Sequence, residues 1–181
     1  MEKDVFEHLD VEGNHTPKTY IVLGCHRGGT SFIGQALKDA GVDIQGGPGR
    51  REDIRFVHLN RDIIYEAGST WQRPPPREKI LNAVKAFENK ARELLRKASS
   101  GKRAWAWKDP QQALTAEGLV PLWLEELDDV YLVCVFRKPK ETYKSLKRIR
   151  QHGQGETFAK EYARRIIYAI ERFMGLNEDV E

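Results

Sequence analysis

The stretch IVLGCHRGGTSFIGQAL, residues 21–37, passes from β-favouring residues through a glycine-containing turn directly into a helical pattern. Its first four residues predict a short buried strand, and the apolar spacing of residues 32–37 predicts a helix. Backbone N–H groups at a helix N-terminus lack intrahelical partners and carry the positive end of the helix dipole. We therefore expect the turn to hold an anion, with phosphate as the first choice. The alternative is a plain turn in which Thr30 or Ser31 caps the helix.

The turn differs from the usual triphosphate-binding sequence, G-x-x-x-x-G-K-[ST], in which a lysine precedes the hydroxyl residue. Here Gly29 precedes Thr30, and the charged residue of the turn is Arg27. A guanidinium can bind an oxyanion through two parallel hydrogen bonds. The sequence therefore favours a phosphate-bearing ligand that does without the triphosphate lysine.

Composition indicates one globular domain, because 181 residues with 40% hydrophobic and 31% charged content can form a substantial core. We expect this core over about residues 18–174, with acidic, flexible ends at 1–16 and 175–181. No apolar run approaches the length of a membrane span and the first residues are neither basic nor apolar, so we expect a cytoplasmic protein. The two cysteines, Cys25 and Cys134, lack metal-ligand spacing and predict unpaired thiols, and a nucleophilic Cys25 is disfavoured because no base is identifiable.

Charge is distributed unevenly along the chain. Residues 1–12 carry a net charge of −4 and residues 177–181 carry −3, so the overall +3 leaves +10 on residues 13–176. Seven Lys or Arg residues fall within residues 136–150. This pattern predicts a surface that faces an anion, although a solvated helix face, nucleic acid and an acidic membrane are alternatives for that run alone.

The order of predicted elements favours an α/β fold. Strands are predicted at residues 21–24, 103–108 and 129–136, the last as a continuous apolar run buried on both faces. Helices are predicted from near residue 53, as one long amphipathic helix over 80–95, and over 140–150 and 156–174. Strands that alternate with helices predict a three-layer α/β/α fold with a mostly parallel sheet. Loops at 24–31, 108–110 and 137–139 then lie at the carboxyl ends of strands, where such folds bind ligands.

Four segments in sequence resemble motifs of the sulfotransferase family. GCHRGGTSFIGQAL is similar to the family's 5′-phosphosulfate-binding loop, and WAWKDPQQALTAEGLVPLW is similar to the W-K-D-P segment of bacterial and carbohydrate-type members. VCVFRKPKETYKSL resembles the 3′-phosphate-binding strand, turn and helix, in which a serine follows an arginine after eight residues, as Ser145 follows Arg137. GPGRREDIRFVHLN resembles the loop and E-D-x-x-x-x-x-L-N helix start that lie between the phosphosulfate-binding loop and the W-K-D-P segment. The likeness covers roughly residues 18–174.

The resemblance implies a P-loop NTPase-like domain that binds 3′-phosphoadenosine 5′-phosphosulfate and transfers its sulfuryl group to a hydroxyl or amine of a small-molecule or carbohydrate acceptor. That cofactor has no triphosphate, so neither the kinase lysine nor a metal ion is expected, and no nucleic-acid partner is expected. Larger members continue beyond the position of Met174. Two expectations follow: either this chain is a minimal version of the fold, or another subunit completes the pocket in a homo-oligomer. The resemblance also implies a set of cofactor-binding residues: His26, Arg27, Gly28, Gly29, Thr30, Ser31, Arg137 and Ser145.

Sulfuryl transfer, like phosphoryl transfer, depends mainly on positioning and charge stabilisation. We expect Arg27 to hold the 5′ end of the cofactor and Lys108 to stabilise the bridging oxygen as its bond breaks. The acceptor needs a base, and Glu52 is the first choice because it resembles the glutamate of several family members, followed by Asp109 and His26. The alternatives are a surface lysine for Lys108 and a helix N-terminal acid for Glu52.

The turn also departs from the family pattern. His26 and Gly28 stand where many members have proline and serine, which removes one hydroxyl donor and adds an imidazole. A non-catalytic homologue therefore stays open, and so does a P-loop nucleotide kinase or another nucleotide-binding or basic binding module, although the missing lysine argues against the kinase. The region of Trp71 and residues 74–76, together with the 41–51 loop, is expected to shape the acceptor site.

Overall fold

The computed structural model describes residues 16–44, 46, 52–148 and 156–175. Within these residues it confirms an α/β architecture built on one all-parallel sheet of four strands in the order β2-β3-β1-β4. The strands are β1 (Lys18–Gly24), β2 (Asp43–Ile44), β3 (Ala104–Lys108) and β4 (Asp129–Val135). The three predicted strands are confirmed, and β2 is an addition. The acidic ends lie outside the described residues, apart from residues 16 and 175.

Seven helices surround the sheet in the described part of the chain. They are α1 (Thr30–Asp39), α2 (Ile54–Glu66), α3 (Arg77–Ala86), α4 (Glu88–Ser99), α5 (Gln112–Glu126), α6 (Pro139–Arg148) and α7 (Glu156–Phe173). The predictions of α1, α2, α6 and α7 are confirmed, with residues 149 and 150 of the predicted 140–150 helix outside the described residues. None of the described helices is long and apolar enough to cross a membrane.

The single helix predicted over residues 80–95 is wrong, because the chain forms two helices that meet at Phe87. The backbone at Phe87 has φ −109° and ψ 6°, and its N–H bonds to the carbonyl of Val84, three residues back. Both helices keep the apolar spacing that suggested one continuous helix. Each buries its own stripe, with Ile80 and Val84 in α3 and Leu95 in α4.

Helices pack against both faces of the sheet, which is consistent with three layers. On one face Ile21 and Trp107 belong to the main core, together with apolar side chains of α2 to α7. On the other face Ala106 lies in a smaller cluster with Ile44, and Leu37 of α1 packs against that cluster. Successive strand residues thus point to opposite layers, as the pleat of a strand requires.

The strand predicted over residues 129–136 is confirmed as β4, but the prediction that it is buried on both faces is wrong. β4 is the last strand in the order, and six of its seven residues are only half-buried while Tyr131 is exposed. A continuous apolar run is typical of central strands, but the same composition occurs here at an edge.

The carboxyl ends of three strands meet at one edge of the sheet, as predicted. Val22 of β1 pairs in register with Lys108 of β3, and Gly24 of β1 pairs with Val135 of β4. The turn after β1, the Lys108–Asp109 segment and the start of α6 therefore lie side by side. This edge holds the candidate site.

Candidate functional site

The turn between β1 and α1 is shaped by two glycines. The N–H of Gly28 bonds to the carbonyl of Cys25 at 2.8 Å, and a Cβ on Gly28 would lie 2.8 Å from that same oxygen. Gly29 has φ +109°, a conformation that side chains disfavour, and it caps α1 without any side-chain hydrogen bond. The alternative in which Thr30 or Ser31 caps the helix is therefore wrong. Thr30 is instead the buried first residue of α1.

Arg27 joins the turn to α6. Its Nε donates to the Ser145 hydroxyl at 3.1 Å, and Arg137 donates from a terminal nitrogen to the Arg27 carbonyl at 3.0 Å. These contacts link residues 118 and 110 positions apart in the chain. Both arginine side chains are exposed, so an anion at this edge could contact two guanidinium groups and one hydroxyl.

Arg27 is also the only non-glycine residue with positive φ in the described residues, at +63°. For a residue with a Cβ this left-handed conformation costs roughly 1–2 kcal/mol, and such strain concentrates at functional sites. The side chain that bonds to Ser145 thus belongs to a residue with a strained backbone.

We predict that Arg27→Gly will be more stable than Arg27→Ala by about 1 kcal/mol. Both variants lose the guanidinium, so the difference reports only the left-handed backbone. Urea denaturation measures it. The control is Lys38, an exposed residue of α1 with ordinary φ. At this helical position the order should reverse, so that Lys38→Gly is less stable than Lys38→Ala. Equal stability of the two Arg27 variants would contradict the prediction.

Lys108, Glu52 and Ser31 form a second polar group at the same edge. The Lys108 Nζ donates to Glu52 at 2.8 Å and to the Ser31 hydroxyl at 3.3 Å. The lysine side chain is 1% exposed and that of Glu52 is 25% exposed. The prediction that Lys108 lies near the turn is confirmed in space, and the surface-lysine alternative is wrong.

Asp109 follows Lys108 but points into the interior. Its two oxygens accept hydrogen bonds from the Asn60 side chain at 2.9 Å and from the Gln111 backbone N–H at 3.0 Å. Burial raises the pKa of Asp109 to about 7, while these two hydrogen bonds act in the opposite direction. Asp109 thus closes the turn into α5 and is buried away from an acceptor.

Asn60 is the centre of a buried network that the sequence analysis did not single out. It donates to Asp109 and to the Gln112 side chain, and it accepts from the Thr115 hydroxyl at 2.6 Å. Trp107 also donates to Gln112. The network ties α2 to the start of α5 and so holds the β3 end that carries Lys108. The leucine–asparagine pair at the end of the quoted GPGRREDIRFVHLN segment was the available sequence signal.

His26 lies against an aromatic wall. Its ring centroid is 4.1 Å from that of Trp71 and 6.0 Å from that of Tyr162, whose hydroxyl donates to the Trp71 carbonyl. Burial and then the charge of Lys108 lower the pKa of His26 to about 3, and its buried Nε2 has no hydrogen-bond partner among the described residues. The imidazole is therefore neutral at physiological pH and a weak base.

Burial raises the pKa of the neighbouring Cys25 to about 12, which disfavours a thiolate nucleophile.

A cavity of about 510 Å³ opens beside Glu52. It is lined by Gly46, Glu52, Asp53, Ile54, Arg55, Lys97, Ala98 and Lys102. Asp53 is the N-cap of α2 and accepts from the Arg55 backbone N–H at 3.0 Å, so the helix-terminal role considered for Glu52 belongs to Asp53.

Of the 41–51 loop expected to shape an acceptor site, residues 45 and 47–51 lie outside the described residues. Trp71 instead packs on His26 at the turn.

Among the described residues no group of three or more His, Cys, Asp or Glu side chains is placed to hold a metal ion. Comparisons with models of protein families, with curated proteins and with solved structures found no match for this chain. The functional conclusion therefore depends on the residues themselves.

Proposed function

We propose that this protein is a sulfotransferase that uses 3′-phosphoadenosine 5′-phosphosulfate. The observation that carries the proposal is the convergence of Arg27, Arg137 and Ser145 at the carboxyl edge of the sheet. The sulfotransferase resemblance assigns these residues to two different anionic groups of one cofactor. Independent sequence segments that meet in space, with the residue types needed for two anions, favour that ligand over one with a single phosphate chain.

The residues present fit such a ligand at both ends. The N-terminus of α1 is capped by a glycine without a side-chain acceptor, which suits the 5′ anion. Arg137 and Ser145 offer a guanidinium and a hydroxyl, which suit a 3′-phosphate. When bound, the cofactor supplies an activated sulfuryl group. In this proposal the sheet is the core of a P-loop-like domain in which Arg27 spans the two anion subsites.

Lys108 and Glu52 are the groups proposed to act on the reacting atoms. An ammonium has three donors, and Lys108 uses two of them on Glu52 and Ser31, so one remains for a ligand oxygen. A buried ammonium stabilises developing negative charge more strongly than an exposed one, because the local dielectric is low. Glu52 lies between this lysine and the cavity, where its carboxylate can take the proton of an acceptor hydroxyl.

Isothermal titration calorimetry tests the proposal. The wild-type protein should bind 3′,5′-adenosine bisphosphate at least tenfold more tightly than 5′-AMP, a difference of about 1.4 kcal/mol. A third titration with ATP and magnesium addresses the kinase alternative. Equal affinity for the bisphosphate and 5′-AMP, or tighter binding of ATP with magnesium, would contradict the sulfotransferase proposal.

A further inference from the structure

The outer edge of β4 is open. β4 is the last strand of the sheet order, and among the described strands only β1 pairs with it. The pairing with β1 runs through seven consecutive residues without a bulge, and the strand sequence DVYLVCV contains neither proline nor lysine. Natural proteins usually protect edge strands with bulges, prolines or lysines, since unpaired N–H and C=O groups attract other strands. The absence of protection within Asp129–Val135 suggests that this edge is covered in solution.

Apolar side chains are exposed along the same strand. Tyr131 is 42% exposed and Phe136, directly after the strand, is 54% exposed. Tyr131 stacks on Tyr20 of β1, with ring centroids 5.2 Å apart. A partner at this edge would therefore gain apolar contacts in addition to backbone hydrogen bonds.

Opposite charges lie at the two ends of the strand. Asp128 and Asp129 stand at its start, and Arg137 and Lys138 follow its end. No ion pair joins any of these four side chains to another described residue. Two of them make other contacts, since Asp129 accepts a hydrogen bond from the Tyr131 hydroxyl and Arg137 donates one to a backbone carbonyl. A second β4 in antiparallel orientation would place unlike charges together at both ends. A parallel copy in register would place like charges together.

We propose that two copies of this chain pair through β4 in antiparallel orientation, about a two-fold axis at Val133. In this register Asp128 of each copy lies opposite Lys138 of the other, while Arg137 keeps its hydrogen bond to the Arg27 carbonyl within its own copy. Opposed residues share a face of the sheet, so Phe136 comes next to Val130 of the second copy. The two four-stranded sheets become one continuous sheet of eight strands, and two-fold symmetry closes the assembly as a dimer.

Charge reversal at Asp128 and Lys138 tests this register. Both side chains are exposed, and neither belongs to the proposed cofactor site, unlike Arg137. Asp128→Lys and Lys138→Asp should each raise the dimer dissociation constant at least about tenfold, because each dimer contains the altered contact twice. The double variant should return to within about threefold of wild type, since the pairs are restored with exchanged signs. Sedimentation equilibrium over a range of concentrations measures all four proteins.

Lys85→Asp is the matched control, because Lys85 is an exposed lysine on α3, away from β4, and its reversal should leave the dimer unchanged. Far-UV circular dichroism checks that each variant is folded. Independently of the variants, amide deuterium exchange within residues 130–135 of the wild type should slow as concentration rises through the dissociation constant. A monomeric wild type, a dimer whose strength does not respond to the single reversals, no recovery in the double variant, or exchange independent of concentration would each overturn the proposal.

Discussion

Replacing Lys108 by methionine should lower the turnover of sulfuryl transfer at least about 100-fold, while nucleotide affinity changes by less than about threefold. The two effects should separate because the ammonium interacts most strongly with charge that develops only in the transition state. Methionine keeps a side chain of similar length in the buried position, so the change removes the charge without opening a large cavity. Steady-state kinetics and calorimetry on the same preparation measure both effects.

Lys90→Met is the matched control for this prediction. Lys90 also pairs with a carboxylate, that of Asp62 at 2.8 Å, but it lies on α4 and does not line the cavity beside Glu52. Its replacement should leave turnover within about threefold of wild type, as is typical of exposed ion pairs. Equal losses of turnover and affinity in Lys108→Met would make Lys108 a binding residue. Unchanged turnover would remove it from the proposed machinery.

The parts of the fold that the sequence predicts correctly are those with strong local patterns. The β1 strand, its glycine-containing turn and α1 follow from residues 21–37, where a change of periodicity coincides with a turn. The α2 start follows from Asp53, whose side chain provides the cap. These features depend on neighbours in the chain, so local sequence is sufficient to predict them.

Helix α5 was not predicted because its sequence has no polar face. Residues such as Leu114, Val120 and Trp123 are buried on several sides, and Pro121 stands inside the helix. A Cβ at Gly118 would lie 2.8 Å from a Val84 methyl, so the glycine permits close packing of α5 on α3. A helix buried all round lacks the amphipathic period that sequence analysis detects, and proline and glycine further resemble loop residues.

The candidate site was predicted by residue type but not by pairing. The quoted motifs point to Arg27, Lys108 and Arg137, yet they give no indication that Lys108 would pair with Glu52 or that Arg27 would bond to Ser145. Asp109 was considered as a base, but Asn60, which is 49 residues away, binds it in the interior. Such contacts arise from the order of the strands and the packing of α2, which local sequence does not specify.

Replacing Arg137 by alanine should remove most of the preference for 3′,5′-adenosine bisphosphate over 5′-AMP. Phe136 separates Arg137 from the last residue of β4, and the Arg137 guanidinium donates to the Arg27 carbonyl. The Arg27 Nε in turn donates to the Ser145 hydroxyl at 3.1 Å. A charge-assisted hydrogen bond typically contributes about 1.5–3 kcal/mol, which is enough to account for a preference of tenfold or more. Affinity for 5′-AMP should change little, because that ligand has no 3′-phosphate.

Two further variants separate binding from support of the turn. Arg148→Ala removes an exposed arginine at the far end of α6 and should leave both affinities unchanged. Arg137→Lys keeps the charge but loses the planar fork, so it should retain only part of the preference. If Arg137→Ala instead weakened both nucleotides equally, the guanidinium would act by holding the Arg27 carbonyl and the shape of the turn. A preference that persisted in Arg137→Ala would place the 3′-phosphate elsewhere, and residues 136–148 would then be a solvated basic surface.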